Sequence, residues 1–236
     1  MKYTNNYFKT TAILLFALNE NAQSVSKPIA CQKKQKVLLW KNMNERVLKT
    51  IQKTKLPYFI SDETNQIGNT FGQKISFAIQ KVIYKGFDNV IVIGNDCIEL
   101  QSKYLLEASN KLKTNDVIFG PDFNGGAYLI GVSKSSFDIE KFAAISWQTC
   151  TVFNELKELY CNHNTAFLPG LNDCNSTPDF KKVIHRLSYS NPFRHLIFSL
   201  LQDKFFIHHC ETTFVSYEKY FFNFNKGSPF SVQILV

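Results

Sequence analysis

Three polar side chains that could do chemistry, Asp96, Asp122 and Asn124, lie just beyond apolar runs that break off abruptly. Val90 to Ile93 is β-branched throughout, too short for a helix, and stops at Gly94-Asn95-Asp96; Asp116 to Phe119 stops at Gly120-Pro121-Asp122. Such runs are buried strands that end in loops. In open α/β sheets the ligand crevice lies outside the carboxyl ends of the strands, so these oxygen-bearing side chains are expected at a ligand edge. Gly125-Gly126 enters the next run, Ala127 to Val132. Glycine lets the backbone turn tightly there or come close to a ligand.

Other candidates read less sharply. Gly68 and Gly72 precede a helical stretch and could present backbone N–H groups to an anion, but glycines so placed also make plain turns. Trp147 has two readings, a ring stacked on a sugar or base and a core side chain. His208 and His209 would fall on opposite faces of a strand, so they do not share a metal and read as structural. The cysteines, at 31, 97, 150, 161, 174 and 210, include no C-x-x-C pair, which excludes a zinc ribbon and a redox dithiol. Reduced thiols in a cytoplasm are expected.

The elements that would position these residues alternate. A strand at Thr11 to Ala17 is followed by a polar loop from Leu18 to about Lys36 that contains no glycine. Val37, Leu38, Trp40, Val47, Leu48 and Ile51 recur at helical spacing and predict a helix over 37–54, with a strand at 57–60 and a helix at 73–85. The strand ending at Ile93, a helix over 101–112 and the strand over 116–119 make a strand–helix–strand unit of a mostly parallel sheet. A strand at 127–132, a helix at 150–162, a strand at 165–168, a short helix after Asp179 and a helix at 192–202 complete the series. Beyond Lys181 the chain turns aromatic, with strand-like runs at 205–209, 212–217 and 220–224. That extension reads either as a small hairpin on the main sheet or as a homodimer surface.

With 236 residues, 44% hydrophobic and 19% charged, the chain is long enough for one sizeable core and is not a disordered polymer. The formal charge of +8 is concentrated: from Lys27 to Lys55 there are nine Lys or Arg and one acid, Glu45. Such a patch suits an anionic partner or is a solvated helix face. No Arg-rich run, aromatic stacking motif or zinc spacing supports nucleic acid. The apolar run Ala12 to Leu18 follows Lys2 and Lys9 but is short and stops at Asn19-Glu20-Asn21, so it reads as a strand and not as a signal peptide. No stretch approaches the roughly 20 apolar residues needed to span a bilayer.

Six motifs then occur in order: Gln66-x-Gly68-x-x-Phe71-Gly72, Gly94-Asn95-Asp96-Cys97, Gly120-Pro121, Gly125-Gly126-x-Tyr128-Leu129-Ile130-Gly131, Trp147-x-Thr149 and Asp173-x-Asn175. Over residues 10–182 the chain resembles the glycosyltransferase-like family DUF2064, similar in fold to the nucleotide-diphospho-sugar transferases. The resemblance implies an α/β, Rossmann-like GT-A domain over 1–180, with 181–236 as an extension packed on it. It further implies a nucleotide or nucleotide-sugar held at the carboxyl edge of the sheet, with Mg²⁺ or Mn²⁺ bridging phosphate oxygens to carboxylates. By the same resemblance Asp96 is the metal ligand and a catalytic residue, with Asp173 as catalytic partner and Asn175 as a second ligand. Lys27, Asn95, Asn124, Gly125, Gly126 and Trp147 bind substrate. Each acid also has a plainer reading, Asp96 as a helix cap and Asp173 as a turn residue.

The departures from the family pattern carry weight. In the first loop Leu18 stands for an arginine, Gln23 for the glycine, Ser26 for the lysine and Pro28 for a second arginine, with Lys27 one position off. Asn124 and Asn175 stand where acids are usual. Asn keeps an oxygen ligand but loses the charge and any base function. The leading expectation is therefore a cytoplasmic, metal-dependent glycosyl- or nucleotidyltransferase. The competing one is a degenerate, non-catalytic binding protein of the same fold.

Overall fold

A computed structural model describes residues 10–30 and 32–201. Strands β1 (Thr11–Phe16), β2 (Tyr58–Ser61), β3 (Asn89–Ile93), β4 (Val117–Pro121), β5 (Ala127–Ser133) and β6 (Thr165–Phe167) form one sheet in the order β2-β1-β3-β5-β4-β6. β1 runs parallel to β2 and β3, and β4 parallel to β6, whereas β5 is antiparallel to both β3 and β4. The short turn over 122–126 is the reason. A connection of that length can only reverse the chain, since a parallel return needs a crossover of about a dozen residues or more. β5 therefore slots between the two strands of the expected strand–helix–strand unit, and the sheet is mostly parallel as the sequence implies.

Helices α1 (Glu20–Ser26), α2 (Lys33–Gln52), α3 (Phe71–Tyr84), α4 (Ser102–Lys111), α5 (Ile139–Ala143), α6 (Val152–Leu159), α7 (Thr177–Arg186) and α8 (Pro192–Leu201) flank it. The period of two along the strands divides the core. Ala12, Leu14, Val90, Val92, Val117 and Phe119 pack with Ile75 and Ile79 of α3, Phe142 of α5 and Leu156 of α6. Ile13, Leu15, Ile91, Ile93 and Ile118 pack on the other face with Val47 and Ile51 of α2 and Leu105 of α4. A third cluster sits outside the sheet, where Leu39, Trp40 and Met43 of α2 meet Phe180 and Ile184 of α7 and Ile197 and Leu200 of α8.

Two expectations change. The glycine-free segment after β1 contains a helix, α1, whose N-cap Asn19 accepts hydrogen bonds from the N–H groups of Asn21 and Ala22, both at 2.9 Å. α2 starts at Lys33, four residues ahead of the expected start, and its Lys33, Lys34, Lys41 and Lys49 are exposed, a solvated basic face. The aromatic runs beyond 204, His208-His209 and any dimer surface there lie outside the described residues. Among the described residues no helix is long and apolar enough to cross a membrane.

Candidate functional site

The carboxyl ends of β1, β3 and β4, and the entry to β5, open onto a cleft of about 720 Å³. A volume of that order takes a ligand of cofactor size. Lys27, Asn95, Asp96, Asn124, Gly126, Trp147, Asp173 and Asn175 line it, so the structure brings together every expected site residue but Gly125.

At its centre the Lys27 ammonium donates to Asp96 Oδ2 at 2.6 Å and to Asn175 Oδ1 at 2.5 Å. Three segments converge to make this contact. Lys27 is the C-cap of α1, its N–H bonded to the Gln23 carbonyl at 2.8 Å and its carbonyl accepting from the Trp40 indole at 3.0 Å. Asp96 follows β3, where Gly94 leaves the room, since a Cβ at 94 would come within 2.7 Å of Asp96 Oδ1. Asn175 precedes α7, on a segment tied to Asp96 by the Cys174 N–H to Asp96 carbonyl bond of 3.0 Å. Burial opposes the charge on Lys27, but the charge and hydrogen bond of Asp96, with Asp173 adding, outweigh it and hold the ammonium above the ordinary lysine range.

Asp173 is 8% exposed, and its Oδ1 is a buried oxygen with no hydrogen-bond partner. Burial first, then the charges of Asp96 and Asp122, push its carboxyl well above the usual carboxylate range. Asp122 closes the turn before β5, its Oδ1 accepting from the N–H groups of Asn124 at 2.6 Å and Gly126 at 2.8 Å. Glu99 is engaged elsewhere, with Asn172 at 2.6 Å and Arg186 at 3.6 Å.

The expected metal pair, Asp96 and Asn175, is thus assembled around an ammonium. Among the described residues no three His, Cys, Asp or Glu side chains converge into a metal site. The orphaned Asp173 oxygen invites a cation or a donor from a ligand, and it sits on a carboxyl whose pKa burial and its acidic neighbours raise. Hard divalent ions take about six or more oxygen ligands, of which the protein often supplies only one or two carboxylates and water or substrate phosphates the rest. Asp96 Oδ2 and Asn175 Oδ1, the two oxygens expected to hold a metal, here accept from the Lys27 ammonium.

Three other expected roles change in detail. Gly125 has a φ of +87° and accepts from the Phe153 N–H at 2.9 Å, so it shapes the turn and packs on α6. Asn95 is buried and donates to Asn44 Oδ1 of α2 at 2.8 Å. Trp147 answers to both of its readings: its indole donates to the Phe142 carbonyl at 2.9 Å and its ring lies 5.0 Å from that of Phe142, while it also lines the cleft. Lys74, which also lines the cleft, was missed. Its signal was its place in the first turn of a helix that follows a strand, where the N-terminus faces the ligand edge.

The fold matches a solved structure from Desulfovibrio desulfuricans G20, a protein provisionally named a nucleotide-diphospho-sugar transferase. The match has a TM-score of 0.71 and covers 81% of this chain and 96% of that one at 20% identity. The chain therefore has the α/β fold of that class. Residues 29–149 match the model of DUF2064, described as an uncharacterized protein conserved in bacteria, and the chain belongs to that family. Rv0371c from Mycobacterium tuberculosis H37Rv, in complex with manganese, matches with a TM-score of 0.47 and 7% identity over 75% of this chain and 100% of its own. A cytidylyltransferase from Leptospira borgpetersenii serovar Hardjo-bovis matches with 0.44 and 13% over 82% and 97%. Likeness that distant says nothing about the site. No curated protein matches the chain.

Proposed function

We propose that the chain binds a nucleotide-activated substrate, of the nucleoside diphosphate-sugar class, in the cleft and transfers its activated group. The observation that carries this is the Lys27 ammonium, positioned beside Asp96 in a cleft of about 720 Å³ at the carboxyl edge of the sheet. There a cation meets phosphate oxygens, and the Trp147 edge and the polar lining serve the base and sugar. The divalent ion implied by the family resemblance has no part in this reading, because the two oxygens assigned to it, Asp96 Oδ2 and Asn175 Oδ1, hold the Lys27 ammonium instead.

A second reading, binding without transfer, has its own support. Asp96 is ion-paired, Asp173 is buried with its carboxyl pushed toward the protonated form, and Asp122 closes a turn, which leaves no free carboxylate placed as a general base.

Calorimetric titration with common nucleoside diphosphates and their sugar conjugates tests the common ground, and release of the nucleoside diphosphate from the bound conjugate separates the readings. Binding with turnover supports transfer; binding without turnover over a range of acceptors supports the second reading. No binding at about millimolar ligand, a free energy of only about −4 kcal/mol, sinks both.

A further inference from the structure

Two departures from the family pattern meet at one point in space. The lysine is displaced to position 27 and an amide stands at 175, and these two side chains touch, Nζ to Oδ1 at 2.5 Å, with Asp96 Oδ2 completing the contact at 2.6 Å. We propose that Lys27 Nζ is a tethered cation in the place of the divalent metal, so that the cleft takes its anionic substrate without a metal ion. The proposal rests on the nucleotide reading for the identity of that anion, and on geometry alone for the cation.

Charge supports it. The two oxygens that hold the ammonium are one carboxylate, Asp96, and one neutral amide, Asn175, so the direct contacts carry a single negative charge against a single positive one. The asparagine is thus a match to the lysine and not merely a damaged ligand. An ion bound to the same two oxygens at about 2.1 Å would bring two positive charges close to the ammonium, which repulsion disfavours.

Positioning supports it as well. Lys27 is no loose surface lysine: its side chain is 27% exposed, and its backbone is held on one side by Gln23 and on the other by Trp40, which is fully buried. An ammonium has three N–H donors. Two reach Asp96 and Asn175, and the third is left for a phosphate oxygen in the cleft that Lys27 lines.

Mn²⁺ alone, followed by electron paramagnetic resonance, is the first probe. The wild-type chain is expected to show no saturable binding up to about 1 mM, the weak limit of protein sites for hard divalent ions. Lys27→Ala is expected to gain binding that the double variant Lys27→Ala/Asp96→Asn loses. Lys27→Met, which keeps the apolar stem, repeats the measurement should the alanine variant unfold. Saturable wild-type binding that Asp96→Asn abolishes overturns the proposal, as does a folded Lys27 variant that gains none.

The second probe is the nucleoside diphosphate that binds most tightly. Its wild-type affinity is expected to be the same with EDTA as with Mn²⁺. In Lys27→Ala it falls by about tenfold or more, the effect of one charge-assisted hydrogen bond, and recovers in part with Mn²⁺. Wild-type affinity that rises by about that factor with Mn²⁺ overturns the proposal. Should no nucleotide bind while Mn²⁺ behaves as expected, the nucleotide reading fails and the cation assignment stands.

Discussion

Asp173 carries a cost that its neighbours make visible. An acid whose folded-state pKa is raised keeps, above about pH 4, a proton that the unfolded chain has already released. The native state then binds more protons than the unfolded one, so stability falls as pH rises from about 4 through the raised folded value. Asp173→Asn removes the titration and keeps an acceptor for the Cys97 thiol. It is expected to raise the Tm at pH 7 by about 2–4 °C, equivalent to about 1 kcal/mol in a chain of this size, with the gap closing toward pH 4. Thermal unfolding across that range checks it, and a gap that is constant with pH would refute the assignment. The candidate residues were legible from motif order. What was not legible is that Lys27 and Asp96, 69 positions apart, would neutralise each other. Motif spacing gives the chain order of side chains and not which of them meet.

At the scale of elements, β3 and β4 were the most readable strands, because their apolar runs, rich in β-branched residues, break off at Gly94 and at Gly120-Pro121. β5 was found but not its direction, which the brevity of the 122–126 turn dictates. The segment after β1 shows how a true observation can mislead. Its polar composition reads as a loop; its lack of glycine, with Asn19 as N-cap, is what allows α1 to form. α5 escaped notice as a short helix capped by Asp138, too short to show a period.

Two substitutions follow at this scale. Asn19→Ala removes the cap of α1 and is expected to cost about 1 kcal/mol and to weaken ligand binding, since the C-terminal end of that helix holds Lys27. An unchanged dissociation constant in that variant would mean that Lys27 is positioned by Trp40 alone. Gly125→Ala is expected to cost more than the roughly 1 kcal/mol typical of incompatible alanines. φ is +87° there, and a Cβ would run into the Cys150 carbonyl. Denaturant unfolding of the variant measures it, and a loss below that figure would argue against the turn geometry.

The molecule as a whole ties the cleft to the cluster outside the sheet. Trp40 packs with Phe180 edge to face, ring centroids 6.0 Å apart, and from the same side chain donates to the carbonyl of Lys27. The packing of α2, α7 and α8 is therefore mechanically joined to the ammonium. Trp40→Phe keeps an aromatic ring in the cluster but deletes the donor. The Lys27 carbonyl still accepts from the Ile29 N–H at 2.8 Å, so the loss is one hydrogen bond and not an orphaned acceptor, together with the cavity left by the smaller ring, in all about 2–3 kcal/mol. Ile197→Ala, in the same cluster and fully buried, costs a similar amount, about 2–5 kcal/mol, without touching Lys27. If the cluster merely supplies stability, the two variants weaken ligand binding alike. If it positions the cation, Trp40→Phe weakens binding distinctly more at equal stability. Calorimetry on the pair, matched by their unfolding midpoints, decides between them, and the second result is the one expected.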